Sequence, residues 1–261
     1  MSGVVAVEHG PISVISLDRP TVHNALNREV IEQLGAAHAA LSADDLVRAV
    51  IITGTGDRAF SAGADLDELR GLGIDQADRV LAEGHRVFSQ IEDSRLPIVA
   101  AVNGLALGGG FELALACTFM IASNNARFAL PEAGLGLIPG YGGTQRLPRA
   151  IGAPAALHLM LTGDRISAGR AFELGLLPVP PVPPEDLMST AWEVAVTLTT
   201  KGPRAMAAIK TAVFAAGTEN RREALRLERQ LAAAAIASDE GDEGVAAFFD
   251  RRPPDFAVVG G

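Results

Sequence analysis

The chain predicts an α/β fold. Short β-rich runs alternate with helix-like tracts through the first half, and one run, Pro97 to Val102, is wholly apolar. A second observation divides the chain: five prolines between Pro178 and Pro184 are too dense for a helix or a central strand, and helical segments follow them. We read residues 1–184 as an α/β body and residues 185–261 as a helical region beyond a hinge.

The elements follow in order. Val4 to Val7 and Ile12 to Leu17 are β-rich and separated by His9-Gly10-Pro11, which predicts a hairpin stopped by Asp18-Arg19-Pro20. Asn24 is placed to cap a helix from about Asn27 to Ser42, with Val30, Ile31, Leu34 and Leu41 near helical spacing. Val47 to Thr53 is a third strand, and a polar helical tract covers roughly Ile74 to Ser94. After the apolar strand, Gly108-Gly109-Gly110 opens a hydrophobic helix, Phe111 to Cys117. Beyond the prolines, helices are expected around Met188–Thr199, Pro203–Ala216 and Glu219–Ile236.

Composition excludes several kinds of chemistry. The 261 residues carry a net charge of -9, which argues against a nucleic-acid binder. A single cysteine, Cys117, excludes a disulfide framework and any multi-cysteine metal site. Of the 22 basic residues only Lys201 and Lys210 are lysines, and neither stands in the order a phosphate-binding loop requires. Histidines 9, 23, 38, 85 and 158 fall into no metal-ligand spacing, so no metal site is expected. Neither G-x-S-x-G nor G-x-G-x-x-G is completed. The stretch Leu96 to Ser123 is apolar but broken by Pro97, Asn103 and the glycine triplet, with Glu112 at its centre, and reads as a buried segment rather than a membrane span. With no secretory signal legible at the amino terminus, the expected location is cytoplasmic.

Two glutamates stand out in apolar, glycine-rich surroundings. Glu112 follows the glycine triplet, and Glu132 lies in Pro131-Glu132-Ala133-Gly134. Burial without a cationic partner raises a carboxyl pKa towards neutrality, which suits general acid–base work; paired with Arg127 or Arg146, either glutamate would instead be a structural ion pair. The glycines supply a complementary feature. At a strand-to-helix transition, Gly108-Gly109-Gly110 lets a ligand approach the backbone while the new helix directs free N–H groups at it. Ser61-Ala62-Gly63-Ala64-Asp65 is a second small-residue turn able to add a donor, and a pair of such donors would stabilise negative charge on a carbonyl oxygen.

With these residues in place, the chain resembles the enoyl-CoA hydratase/isomerase, or crotonase, superfamily. The resemblance rests on Arg19-Pro20 with Asn24-Ala25-Leu26, Arg58 to Asp65, Ala101 to Leu113, Pro131-Glu132, Ile138 to Leu147, and Leu161 to Ser167. Gly244 to Phe256 resembles the family's closing segment. The resemblance implies a spiral of ββα units with a C-terminal helical trimerisation region, assembled as a homotrimer or a dimer of trimers. It implies an acyl-CoA thioester substrate held through the N–H groups of Ala64 and Gly109. It further implies that Glu112 activates water, Glu132 delivers a proton, and Gly140 helps hold water or substrate by a backbone contact. Coenzyme A enters as part of the substrate, with no separate cofactor. Its contacts are expected at Thr21, Val22, Arg58, Ala62, Asp65 and Leu66, and across a subunit boundary at Phe248 and Arg251.

The implied activity is hydration of a trans-2-enoyl-CoA. Other reactions of the superfamily, isomerisation or a specialised dehydration, and a non-catalytic acyl-CoA binder are the alternatives. The chain departs from the family pattern at Thr118, where an aspartate is common, and at Thr21 and Asp67, where lysines often meet the CoA phosphates.

Overall fold

The computed structural model describes residues 5–256; Val4, expected in the first strand, lies outside them. β1 (Val5–Glu8) and β2 (Ile12–Leu17) form the expected antiparallel hairpin, with Val5 opposite Leu17. Helix α1 (Arg28–Ala43) leads to β3 (Ala49–Gly54), which turns into the short strand β4 (Ala59–Ser61). A single helical turn, α2 (Leu66–Leu69), and the long helix α3 (Ile74–Glu92) follow. The pattern then repeats, with β5 (Ile98–Val102), β6 (Leu105–Leu107) and α4 (Gly109–Ala116). β7 (Phe119–Ala122), β8 (Arg127–Ala129), a 3-10 turn over Glu132–Leu135 and α5 (Gly143–Ile151) form another such unit.

Each unit sends its longer strand to one sheet and its shorter strand to another. The first sheet has the order β1-β2-β3-β5-β7; beyond the hairpin its pairings are parallel. After α6 (Ala153–Thr162) comes β9 (Ile166–Ser167), which completes a second sheet of order β4-β6-β8-β9. This is the ββα spiral that the resemblance implies.

Both faces of the first sheet are covered, which is why its strands read as continuous apolar runs. On one face Ile15, Leu17, Val50, Ile52, Ile98 and Val102 share a core with Val30 and Leu34 of α1, Val87 and Phe88 of α3, and Phe111 of α4. After α7 (Ala168–Glu173), helix α8 (Leu187–Thr199) covers the other face. Its Leu187, Ala191 and Ala195 pack on Ile12, Val14, Ile51, Val99 and Ile121. The proline-rich stretch read as a hinge is tied to the sheet: Val182 N–H donates to Ala122 O at 3.0 Å, and Val182 O accepts from Asn124 N–H at 2.8 Å. Helices α9 (Pro203–Thr218), α10 (Arg221–Ile236) and α11 (Asp239–Asp250) complete the helical C-terminal region. No helix among the described residues is long and apolar enough to cross a membrane.

Asn24 differs from its expected role. Asn27 caps α1, its side chain accepting the Val30 N–H at 3.0 Å. Asn24 is instead buried at positive φ, where it accepts from Arg19 N–H and donates to Thr55 O and Ala59 O. Those bonds fix the connection before α1 to the turn between β3 and β4, beside the candidate site.

Candidate active site

The site forms where β6 gives way to α4. Gly108, at φ 49° and ψ −127°, makes the sharp turn that only glycine adopts without strain. Its N–H donates to Ala129 O at 2.9 Å, and its carbonyl accepts the Glu112 N–H at 2.9 Å. Glu112 therefore stands one turn into a buried helix, itself only 1% exposed. Its Oε1 accepts the backbone N–H groups of Tyr141 at 2.8 Å and Gly143 at 2.7 Å. Burial raises the Glu112 pKa; the two N–H bonds and the nearby Arg146 charge oppose that shift.

Glu132 reaches the same turn from the start of the 3-10 turn that follows β8. Its Oε1 lies 2.8 Å from where a Cβ on Gly108 would stand. Its Oε2 is buried and meets no hydrogen-bond partner among the described residues. Burial first, then the nearby charge of Glu112, push the Glu132 carboxyl up to about 7. Neither Arg127 nor Arg146 pairs with these glutamates. Arg127 donates to Asn124 O and Ala126 O, and Arg146 pairs with Glu92 at 2.7 Å.

Two backbone N–H groups near the start of α4 have no acceptor among the described residues. Leu26 brackets Ala64 in a parallel bridge: Leu26 N–H donates to Gly63 O at 2.8 Å, and Asp65 N–H donates to Leu26 O at 3.0 Å. In that pattern the N–H of Ala64 points away from Leu26, and no acceptor among the described residues takes it. Gly109 N–H, in the first turn of α4, is likewise unclaimed there. The turns lie side by side, with Gly63 so placed that a Cβ on it would be 3.3 Å from Gly109 N. Ala64 also borders a cavity of about 620 Å³ between α1, the α2 turn and α3. Leu26, Ile31, Leu69, Leu72, Val80 and Tyr141 supply its apolar lining, and Arg28, Glu32, Asp65, Glu68, Arg79 and Glu83 its charged part.

The other expected residues are placed as follows. Gly140 sits in the loop before α5, packed against Leu81 of α3. Thr21 and Arg58 line a second cavity, of about 270 Å³, together with His23, which the sequence reading passed over. Val22 is exposed beside it, and Ala62 N–H is bonded to His23 O at 2.9 Å. Asp65 is held in an ion pair with Arg19 at 3.1 Å, and Leu66 is exposed at the start of α2. Phe248, 78% exposed, and Arg251, the C-cap of α11, line neither of these two cavities within one protomer. Thr118 has its own structural task, its hydroxyl accepting Ile98 N–H at 2.9 Å.

The sequence reading missed Tyr141 and Gly143 as the donors that hold Glu112, and Glu92 as the partner of Arg146. The run Gly140-Tyr141-Gly142-Gly143 was the available signal: consecutive small residues before a helix free the backbone to turn its N–H groups inward.

A ββα spiral with two N–H groups unclaimed among the described residues and two carboxyls at the neighbouring turn is the kind of arrangement that can stabilise charge on a carbonyl oxygen while protons move nearby. Comparison with known proteins makes the assignment specific. The enoyl-CoA hydratase/isomerase family model matches residues 8–258, and the chain belongs to that family. A crotonyl-CoA hydratase from Syntrophomonas wolfei is 38% identical over 253 residues, covering 97% of each chain. A short-chain-enoyl-CoA hydratase from Clostridium acetobutylicum is 35% identical over 97% of this chain and 96% of its own. Among solved structures, an enoyl-CoA hydratase from Bacillus anthracis superposes with a TM-score of 0.92 at 37% identity, covering 97% of this chain and 98% of that one.

Proposed function

We propose that this protein is an enoyl-CoA hydratase, adding water syn across the C2=C3 bond of a trans-2-enoyl-CoA to give a 3-hydroxyacyl-CoA. The observation that carries this reading is the pairing of two unlike carboxyls at one glycine turn. Glu112 is saturated on one oxygen by backbone donors, and Glu132 has a buried, unpartnered oxygen.

In this mechanism the thioester oxygen sits between the N–H groups of Ala64 and Gly109. As water attacks C3, negative charge moves onto that oxygen, where fixed donors act most strongly. Glu112 works as the ionised base: Oε2, which takes no bond from the described residues, holds the water and accepts its proton. Glu132, with its carboxyl at about 7, is the proton donor to C2. Gly140 contributes its backbone to the water or substrate. The reaction is redox-neutral and its acid–base groups are protein carboxyls, so coenzyme A within the substrate is the only cofactor chemistry involved.

The acyl chain enters the 620 Å³ cavity beside Ala64. Val22, Ala62 and Leu66 line the CoA path, and Asp65, its carboxylate engaged by Arg19, contributes through its backbone. Thr21 and Arg58 meet the nucleotide end, Arg58 supplying the cation where family lysines are missing. Phe248 and Arg251 reach the CoA of a neighbouring copy. A homotrimer or dimer of trimers is the assembly this requires, and the exposed Ile209, Val213, Leu225, Phe248 and Phe249 of α9–α11 support burial between copies. A cytoplasmic setting goes with an acyl-CoA substrate.

Loss of the conjugated enoyl-thioester absorbance with crotonyl-CoA tests the assignment, beside Glu112→Gln and Glu132→Gln. Turnover in the parent and its loss in both variants is the expected result. Acyl-CoA binding without turnover of any enoyl-CoA would instead identify a binder.

A further inference from the structure

The loop that holds Glu112 is itself held from behind. Tyr141 and Gly143 spend their N–H groups on Glu112 Oε1, while the Tyr141 carbonyl accepts Arg146 Nη1 at 2.7 Å. The same buried guanidinium donates through Nε at 2.9 Å and Nη2 at 2.7 Å to Glu92 Oε2, at the end of α3. Gly142, at φ 100°, lies so close to the guanidinium that a Cβ there would collide with it. Arg149 adds a longer contact to Glu92 Oε1 at 3.5 Å.

From this we infer that Arg146, anchored by Glu92, is a positioning residue for the reaction. It locks the 140–143 backbone so that one oxygen of Glu112 is fully occupied and the other is free for water. This rests on Glu112 being the water-activating carboxylate. Arg146 forms no hydrogen bond or ion pair with Glu112, so its action passes through the loop and through its field. Its charge is one of the influences that favour the ionised form of Glu112. An arginine suits the task because its planar fork grips a carbonyl and a carboxylate from fixed directions at once. A lysine supplies the charge without that geometry.

The test compares Arg146→Gln, Arg146→Lys and Glu92→Gln by hydration kinetics across pH, thermal melting, and amide exchange at Tyr141 and Gly143. In Arg146→Gln, kcat is expected to fall about 10²-fold, the cost of a misplaced catalytic group, with KM near that of the parent. The acid limb of kcat/KM moves to higher pH, and the two amides lose protection. Arg146→Lys returns the acid limb towards the parent value but recovers only part of kcat. Glu92→Gln lowers kcat and amide protection to a smaller degree.

A folded Arg146→Gln or Glu92→Gln with parental kcat and amide protection overturns the inference. So does a loss of kcat with the acid limb and both amides unmoved, which marks a general packing role. Should the Arg146 variants fail to fold, Glu92→Gln decides by the same criteria. A parent protein that hydrates no enoyl-CoA refutes the proposed function, whereas the exchange of Tyr141 and Gly143 still reports whether Arg146 fixes the loop.

Discussion

Glu132 rests on Gly108: its Oε1 lies where it would be 2.8 Å from a Cβ at that position, closer than real side chains approach. Gly108 also sits at φ 49° and ψ −127°, outside the regions open to other residues. Gly108→Ala therefore strains the backbone by about 1–3 kcal/mol and displaces the Glu132 carboxyl together with the adjoining Gly109 N–H. Hydratase turnover is expected to fall at least 10²-fold, since reacting groups misplaced by about 1 Å cost that much. Parental kcat in a folded Gly108→Ala enzyme would separate this turn from the chemistry.

The Glu132 carboxyl gives a pH dependence with a definite sign. Its folded pKa is about 7 against an ordinary value of 4.5, so between those limits the folded chain holds more protons than the unfolded one. Stability then falls as pH rises through this window, and above it the fold carries an ionised, half-buried carboxylate. Glu132→Gln removes that charge. Its melting temperature is expected to exceed that of the parent above pH 7, with the advantage gone below about pH 4.5. Turnover falls by about 10²–10⁴, because an amide cannot supply the proton. For the parent, kcat/KM for hydration should decline through a basic limb near pH 7. A melting difference independent of pH would mean that burial does not hold this carboxyl protonated.

The two glutamates, the glycine triplet and the small-residue turn at Ala64 stand out in the sequence because each is a local pattern, although the choice between an acid–base glutamate and a structural ion pair needed the partners of Arg127 and Arg146. What fixes them is not local. Arg146 and Glu92 stand 54 residues apart, and nothing in either neighbourhood announces the pair. Strands β4, β6, β8 and β9 are two or three residues long, too short for an alternation of apolar side chains to show. Asn24 and Asn27 both have a capping side chain, and only the burial of Asn24 among the Thr55 and Ala59 carbonyls decides between them. Lys210, one of two lysines, satisfies the buried Ser94 and Leu96 carbonyls from α9, more than a hundred residues away.

Gly84 lies directly beneath the Tyr141 ring, with no space for a side chain between them. Phe88 flanks the same ring at a centroid distance of 5.2 Å. Alanine would favour helix α3 by up to about 1 kcal/mol in exposed surroundings. Here the added methyl must push the ring, and overpacking costs about 1–3 kcal/mol. Because Tyr141 N–H is one of the bonds to Glu112, the push reaches the carboxylate. Gly84→Ala is expected to lower both the melting temperature and kcat, with KM little changed. A more stable, fully active Gly84→Ala protein would show that the loop can yield without moving Glu112.

Glu240 caps a helix that is not its own. From the first turn of α11, its carboxylate accepts Arg204 N–H at 3.1 Å and Ala205 N–H at 2.8 Å, at the start of α9. The N-cap of α9 is Gly202, which has no side chain to do this, and a Cβ there would collide with the Glu240 carboxyl. Glu240 is buried, so Glu240→Ala leaves these N–H groups without their acceptor where water reaches them poorly, and removes a negative charge from the positive end of α9. The expected loss is about 1–3 kcal/mol in urea unfolding at neutral pH. Glu240→Gln retains an acceptor oxygen and should lose less. Both candidate carboxyls stand in the α/β body, whereas α11 carries Phe248 and Arg251, the proposed CoA contacts across copies, so kcat with crotonyl-CoA should change little while KM rises. Equal stability of Glu240→Ala and the parent would mean that the start of α9 is held without this carboxylate.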